Sequence, residues 1–231
     1  MGQNSAKPIV IEFNGIPGSG KTTTMYEVKK MLREMKIKEI PSPKVGSGQM
    51  DKASHTGFKS LLFSKELRKM YILFLKAFLL VRPLTKERWG FMNLTYGYWY
   101  RAKKMEMLNR QGICIWDQGI IQGFISMAYQ GKITNETKYY KYIGRLMDDL
   151  GCVICINCNI DVETAMKRMT TRKLSGGRLY HIKTDRELRE ALMTQKEQFE
   201  MLRKISVKNS LDIDMADDIG QNAKKIIKFC V

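Results

Sequence analysis

Histidine is almost absent. The chain has two, His55 and His181, far apart in sequence, so no metal site built on imidazole is predicted. Long apolar runs are missing too. The longest, residues 70–81, is interrupted by Lys76 and preceded by Lys65, Glu66, Arg68 and Lys69. A bilayer span needs roughly 20 apolar residues, so this run reads as a buried helix or as a helix shared with a partner subunit in a homodimer. The leading MGQNSAKP has no apolar signal core, and Ala6 stands where a myristoylation signal needs Ser or Thr. No membrane partner is expected, and a cytoplasmic location is. Low-complexity tracts and internal repeats are lacking.

Acidic residues are outnumbered: 40 Lys and Arg face 23 Asp and Glu, a net charge of +17. The basic residues are spread over several helical stretches, with no compact Lys/Arg block and no nucleic-acid motif. The charge therefore reads as solvated surface plus the handling of phosphates, and nucleic acid is not the expected partner. Cysteine is sparse, at Cys114, Cys152, Cys155, Cys158 and Cys230. Three of them, Cys152, Cys155 and Cys158 in GCVICINCN, sit on a strand-like run whose side chains alternate between faces. Cys152 and Cys155, and Cys155 and Cys158, are thus expected on opposite faces, as buried reduced thiols rather than metal ligands.

What is present supports a full core: 44% of residues are apolar. Residues 1–231 are expected to form one domain. Short apolar strands alternate with helical stretches, which predicts an α/β fold with about five parallel strands and helices on both faces. The strands are placed near 8–13, 37–41, 112–117, 152–157 and 210–214. Helices are placed near 60–81, 86–110, 120–130 and 135–150. Another follows a cap at Asp161 with an apolar face of Val162, Ala165, Met166 and Met169, and a long one opens with the capping box TDRE at 184–187. A last helix has Asp217 and Asp218 in its first turn. Residues 42–57 and 174–182 read as loops.

Residues 15–22 read GIPGSGKT and fill all eight positions of G-x-x-x-x-G-K-[ST], between a strand and a helix. Glycines let the backbone turn its N–H groups toward phosphate oxygens, and the helix N-terminus adds positive charge. Gly15, Pro17, Gly18, Ser19, Gly20, Lys21, Thr22 and Thr23 are the expected cradle for a nucleoside triphosphate, ATP. Lys21 reaches the β- and γ-phosphates, and the Thr22 hydroxyl is placed to ligate Mg²⁺. Asp117 ends an apolar strand at the same end of the sheet. A carboxylate there serves as a Mg²⁺ ligand, through water, or as a base for an attacking hydroxyl, and both roles stay open. Arg168 and Arg172 are four apart on a helix, so they point the same way, and Arg178 follows beside SGG at 175–177. This is the composition of a lid, about 172–183, that closes on a transferring phosphoryl group.

The helical region 58–111 contains WGFMNLTYGYWYR at 89–101, which reads equally as acceptor pocket or as core. The spacing of Tyr96, Trp99 and Lys103 suggests one face left unburied. Arg82, Arg88 and Arg101 are candidate anion contacts there.

The order of GIPGSGKT, a strand ending in DQG, IDVETAMKRMTTR, a long capped helix and a terminal LDID resembles the thymidylate kinase-like and deoxynucleoside kinase-like branch of P-loop kinases. That resemblance implies a P-loop NTPase sheet with a lid. It implies that Asp117 works with the acceptor, that Arg168, Arg172 and Arg178 are the lid arginines, that the segment between strands two and three supplies the acceptor pocket, and that residues 215–217 lie near the adenine. Gln118 stands where such relatives carry Arg, which points to an acceptor with a plain hydroxyl. The acidic residue and proline after strand two appear only as EIP at 39–41, so a thymidylate kinase is not indicated. The expectation is an ATP-dependent kinase acting on a small-molecule hydroxyl. The alternatives are a nucleotide-dependent switch or nucleic-acid-associated NTPase, motivated by the charge, and a degenerate scaffold subunit.

Overall fold

The computed structural model describes residues 8–41, 64–129, 131–171, 179, 182, 184–204 and 209–231. In chain order its elements are β1 (Ile9–Asn14), α1 (Lys21–Glu34), β2 (Glu39–Ile40), α2 (Lys65–Leu79), β3 (Val81–Arg82), α3 (Lys86–Met107) and β4 (Ile113–Trp116). They continue with α4 (Ile120–Ala128), β5 (Lys132–Ile133), α5 (Glu136–Asp148), β6 (Val153–Asn159), α6 (Val162–Thr171), α7 (Asp185–Lys204), β7 (Ser210–Asp214) and α8 (Ile219–Cys230).

Five strands form one sheet in the order β2-β4-β1-β6-β7, and every pairing in it is parallel. The α/β class with a five-stranded parallel sheet is thus as expected. Strand β1 shows why. Its side chains alternate, with Ile11 and Phe13 toward one layer and Val10 toward the other, and all are buried, as a sheet covered on both faces requires. On one face Ile11, Phe13, Ile115 and Ile156 meet Met25, Val28 and Leu32 of α1 and Ala223, Ile226 and Ile227 of α8. On the other, Val10, Trp116 and Val153 meet Phe74 of α2, Trp99 of α3, Phe124 of α4 and Ile143 of α5.

Helix starts follow their capping residues. Asn135 accepts from the Lys138 N–H at 2.9 Å, Asp161 from Thr164 at 2.7 Å, and Thr184 from Glu187 at 3.2 Å. Asp218 is the cap of α8 itself, accepting from Gln221 at 2.9 Å, and Asp217 lies outside the helix, where it pairs with Lys225. The expectation that both carboxylates sit in the first turn is corrected: the cap must have non-helical backbone, so the helix begins one residue later.

Three further expectations are revised. The two-stranded antiparallel sheet β3–β5 was not expected; each strand has only two residues, too few for a periodic signal. Cys152 precedes β6 and so escapes its alternation. It joins the same core cluster as Cys155, and its thiol donates to the Ala102 carbonyl of α3. Cys155 and Cys158 do face opposite layers. All five cysteines are buried free thiols, and burial pushes Cys114 up to about 11 and Cys158 up to about 12. Third, the face bearing Tyr96, Trp99 and Lys103 is not left open. Tyr96 and Trp99 are buried against Phe74 and Lys103 pairs with Asp149 at 3.1 Å, so this part of the aromatic run is core. Helix α2 buries Leu67, Phe74, Ala77 and Phe78 within the chain and leaves Ile72 and Leu79 about half exposed. Among the described residues no helix is long and apolar enough to cross a membrane.

Candidate active site

Strands β1 and β4 are neighbours, and their carboxyl ends carry the two halves of the site: GIPGSGKT follows β1, and Asp117 follows β4. Ligands of open parallel sheets bind at such ends. The loop is held tightly. Gly18 has φ +79°, and a Cβ there would lie 2.4 Å from the Ala165 carbonyl oxygen of α6, so both its conformation and the approach of α6 demand glycine. Gly20, with φ 96°, is the N-cap of α1. Ser19 is fully buried, Pro17 is partly buried, and Thr23 is exposed at the helix start.

The Lys21 ammonium curls over this loop, donating to the carbonyls of Gly15 at 2.7 Å and Ile16 at 2.9 Å. The Thr22 hydroxyl lies 3.2 Å from each oxygen of Asp117. The two residues expected at the metal position therefore meet, 95 positions apart in sequence. A hydroxyl and a carboxylate are hard oxygen donors and fit Mg²⁺. Arg168 leans back from α6, donating to the Ser19 carbonyl at 3.2 Å and the Met215 carbonyl at 3.0 Å. It thus ties the phosphate loop to the turn after β7. Arg172 and Arg178, the 42–57 loop and most of the expected lid lie outside the described residues.

Of the candidate anion contacts, Arg88 is corrected. It is buried and spends its guanidinium on the carbonyls of Pro83, Met127 and Tyr129, tying α3 to the end of α4. Arg82 is exposed on β3. Arg101 is half-buried beside Tyr98 and Cys114, and its pKa is lowered by burial. Tyr98, stacked at a tilt on Trp116 with centroids 5.0 Å apart, is pushed up to about 12, first by burial, despite the opposing pull of Arg101.

Glu12 is a site residue that the sequence reading passes over. It is a fully buried carboxylate in the central strand, and it accepts N–H bonds from Ile120 at 3.0 Å, Ile121 at 2.7 Å and Gln122 at 3.4 Å. Desolvation pushes its pKa up to about 7 against the lowering effect of those bonds. The available signal was a lone charge inside an apolar central strand.

No protein-family model matches the chain, and no curated protein matches it. Among solved structures the fold is similar to that of deoxyadenosine kinase from M. mycoides. With dATP bound, that protein aligns at 16% identity over 95% of this chain and 97% of its own, with a TM-score of 0.49. With dCTP bound, it aligns at 16% identity over the same shares, with a TM-score of 0.46.

Proposed function

We propose that this chain is an ATP-dependent kinase that transfers the γ-phosphoryl group to a hydroxyl of a small molecule of nucleoside or nucleotide type. The observation that carries the reading is the meeting of the two halves of the site, with the Thr22 hydroxyl 3.2 Å from both Asp117 oxygens beside the Lys21 loop. A phosphate-binding loop alone fits many nucleotide proteins. A strand-end carboxylate touching its threonine fits phosphoryl transfer, in which positioning and charge stabilisation supply most of the catalysis.

In this reading Lys21 and the N–H groups of residues 15–22 bind the β- and γ-phosphates. Thr22 and Asp117 hold Mg²⁺, which neutralises charge on those phosphates. The contact with Thr22 favours this metal-side role for Asp117 over that of a base. Arg168 steadies the loop and the turn at Met215. Arg172 and Arg178 are proposed as lid residues on sequence grounds, within a single domain spanning 1–231. Arg101 of α3, half-buried beside Cys114, is proposed as an acceptor contact, and Tyr98, buried against Trp116, as packing behind the end of β4.

Thermal unfolding with Mg·ATP, screened against nucleosides, nucleoside monophosphates and sugars, tests this. Nucleotide at a hundredfold excess over its Kd stabilises by about 2.7 kcal/mol. The expected result is a shift with Mg·ATP that grows with one acceptor class. No shift with any nucleotide contradicts the reading. Stimulation of ATP hydrolysis by nucleic acid, with steep salt dependence, would support the alternative motivated by the net charge of +17.

A further inference from the structure

We infer that Glu12 is a positioning residue for Asp117: its carboxylate clamps the turn that carries Asp117 and the first turn of α4, and so fixes where Asp117 meets Thr22. The functional consequence rests on the kinase reading above; the clamp itself does not.

Three observations carry it. First, Glu12 lies opposite Trp116 in the β1–β4 register, so it sits beside the residue that precedes Asp117. Second, its two oxygens take three successive N–H groups at the start of α4, two of them at 3.0 Å or less. The cap position there is Gly119, which offers no side-chain cap, so a carboxylate from another strand does the work usually left to a local Ser or Asp. Third, the clamp is close-fitting. A Cβ on Gly119 would lie 2.4 Å from the Glu12 carboxyl carbon, so the DQG turn is pressed directly onto it.

The charge is chemically expensive where it stands. No Lys or Arg pairs with Glu12 among the described residues, and its ionised form is supported by the N–H groups and the positive end of α4. The polar or titratable groups near it are Tyr98 of α3, Cys155 of β6 and, beyond the turn, Asp117. A neutral apolar residue would fill this core position at lower cost. What it would not do is join the two halves of the site. Glu12 stands three residues before Gly15 on the strand that launches the phosphate loop, and it grips the segment that presents Asp117. One rigid strand thus sets the distance between Thr22 and Asp117.

Glu12→Gln tests the inference. It preserves shape but turns an amide donor toward N–H donors, so the clamp loses at least one bond. Turnover is measured per nucleotide-binding site, which removes any contribution from unfolded protein. The expected result is a fall in kcat of about ten- to a hundredfold, the scale of a misplacement near 1 Å, with little change in Mg·ATP affinity. In an Asp117→Asn background the same substitution costs no more than about twofold, because Glu12 acts through Asp117. An equal loss in both backgrounds, or full turnover per bound nucleotide, overturns the inference.

Amide hydrogen exchange gives a readout independent of catalysis. Ile120 and Ile121 are expected to exchange about tenfold faster or more in Glu12→Gln, while the β6 amides do not change. Unchanged exchange at Ile120 and Ile121 overturns the clamp even in an active enzyme. A wild-type protein that transfers phosphate to no acceptor, yet shows this exchange difference, overturns the kinase reading and leaves the clamp standing. Should Glu12→Gln fail to fold, Gly119→Ala pushes the same turn off the carboxylate and is expected to give the same readouts.

Discussion

Lys21, Thr22 and Asp117 each do something at close range that their neighbours cannot. Lys21 is the only long cation rooted at the first turn of α1, and its ammonium already lies over the loop carbonyls at 2.7 and 2.9 Å. Lys21→Ala is expected to reduce turnover by about a hundred- to a thousandfold, the scale for a lost charge-stabilising donor; steady-state kinetics check it. Asp117→Asn keeps the shape and removes the charge. It is expected to raise the Mg²⁺ concentration needed for half-maximal rate as well as to lower kcat. A kcat loss with an unchanged Mg²⁺ requirement would return Asp117 to the role of base.

Glu12 has a separate signature at this scale. Its pKa in the fold is raised from 4.5 to about 7 by burial. The folded chain therefore holds this proton more tightly than the unfolded chain. The corresponding stability is fully present below pH 4.5 and is lost as pH rises through about 7, a change of about 3 kcal/mol. Urea titrations at pH 5 and pH 8 are expected to show wild type losing more stability across that interval than Glu12→Gln. The phosphate loop was legible because its eight residues are contiguous. Glu12 was not, since the N–H groups it holds lie 108 to 110 residues away. Arg168 was legible as a site residue, but its contact with Ser19 spans 149 positions.

Elements were legible where period and caps agree. The strand 210–214 and the caps Asp161 and Thr184 stand where the sequence puts them. The spacing puts Met25, Val28, Leu32 and Met35 on one apolar face of α1; the first three are buried, whereas Met35 is the C-cap residue past the helix end and stands half exposed. The aromatic run of α3 was not decidable, because a stripe of Tyr and Trp at helical spacing fits a pocket wall and a core equally. Packing settles it: Phe74 of α2 and Phe124 of α4 stack at 5.4 Å beside Tyr96 and Trp99. The crossing of α3 and α4 is closer still. A Cβ on Gly123 would lie 2.1 Å from the Thr95 hydroxyl oxygen. Gly123→Ala is therefore expected to destabilise by about 1–3 kcal/mol through overpacking, despite the better helix propensity of Ala. Thermal denaturation checks the sign, and a more stable variant would mean the helices separate more easily than their packing implies.

At the scale of the molecule, the parallel sheet brings the loops that follow its adjacent inner strands β1 and β4 to the same carboxyl end, and that juxtaposition makes the candidate site. The apolar face of α2 is used inside the chain, against α3, α4 and α5, which leaves Ile72 and Leu79 as its exposed apolar remainder. The identity of the acceptor was not legible, because pocket specificity depends on where side chains from separate elements converge, which no contiguous stretch of sequence states.

The most direct test of the central claim is transfer of label from γ-³²P ATP to a panel of nucleosides, nucleoside monophosphates and sugars with Mg²⁺, run on wild type and Lys21→Ala. The account predicts labelled product from wild type with one acceptor class and almost none from the variant. ATP binding to wild type with no label in any hydroxyl acceptor, or equal label from both proteins, would contradict it.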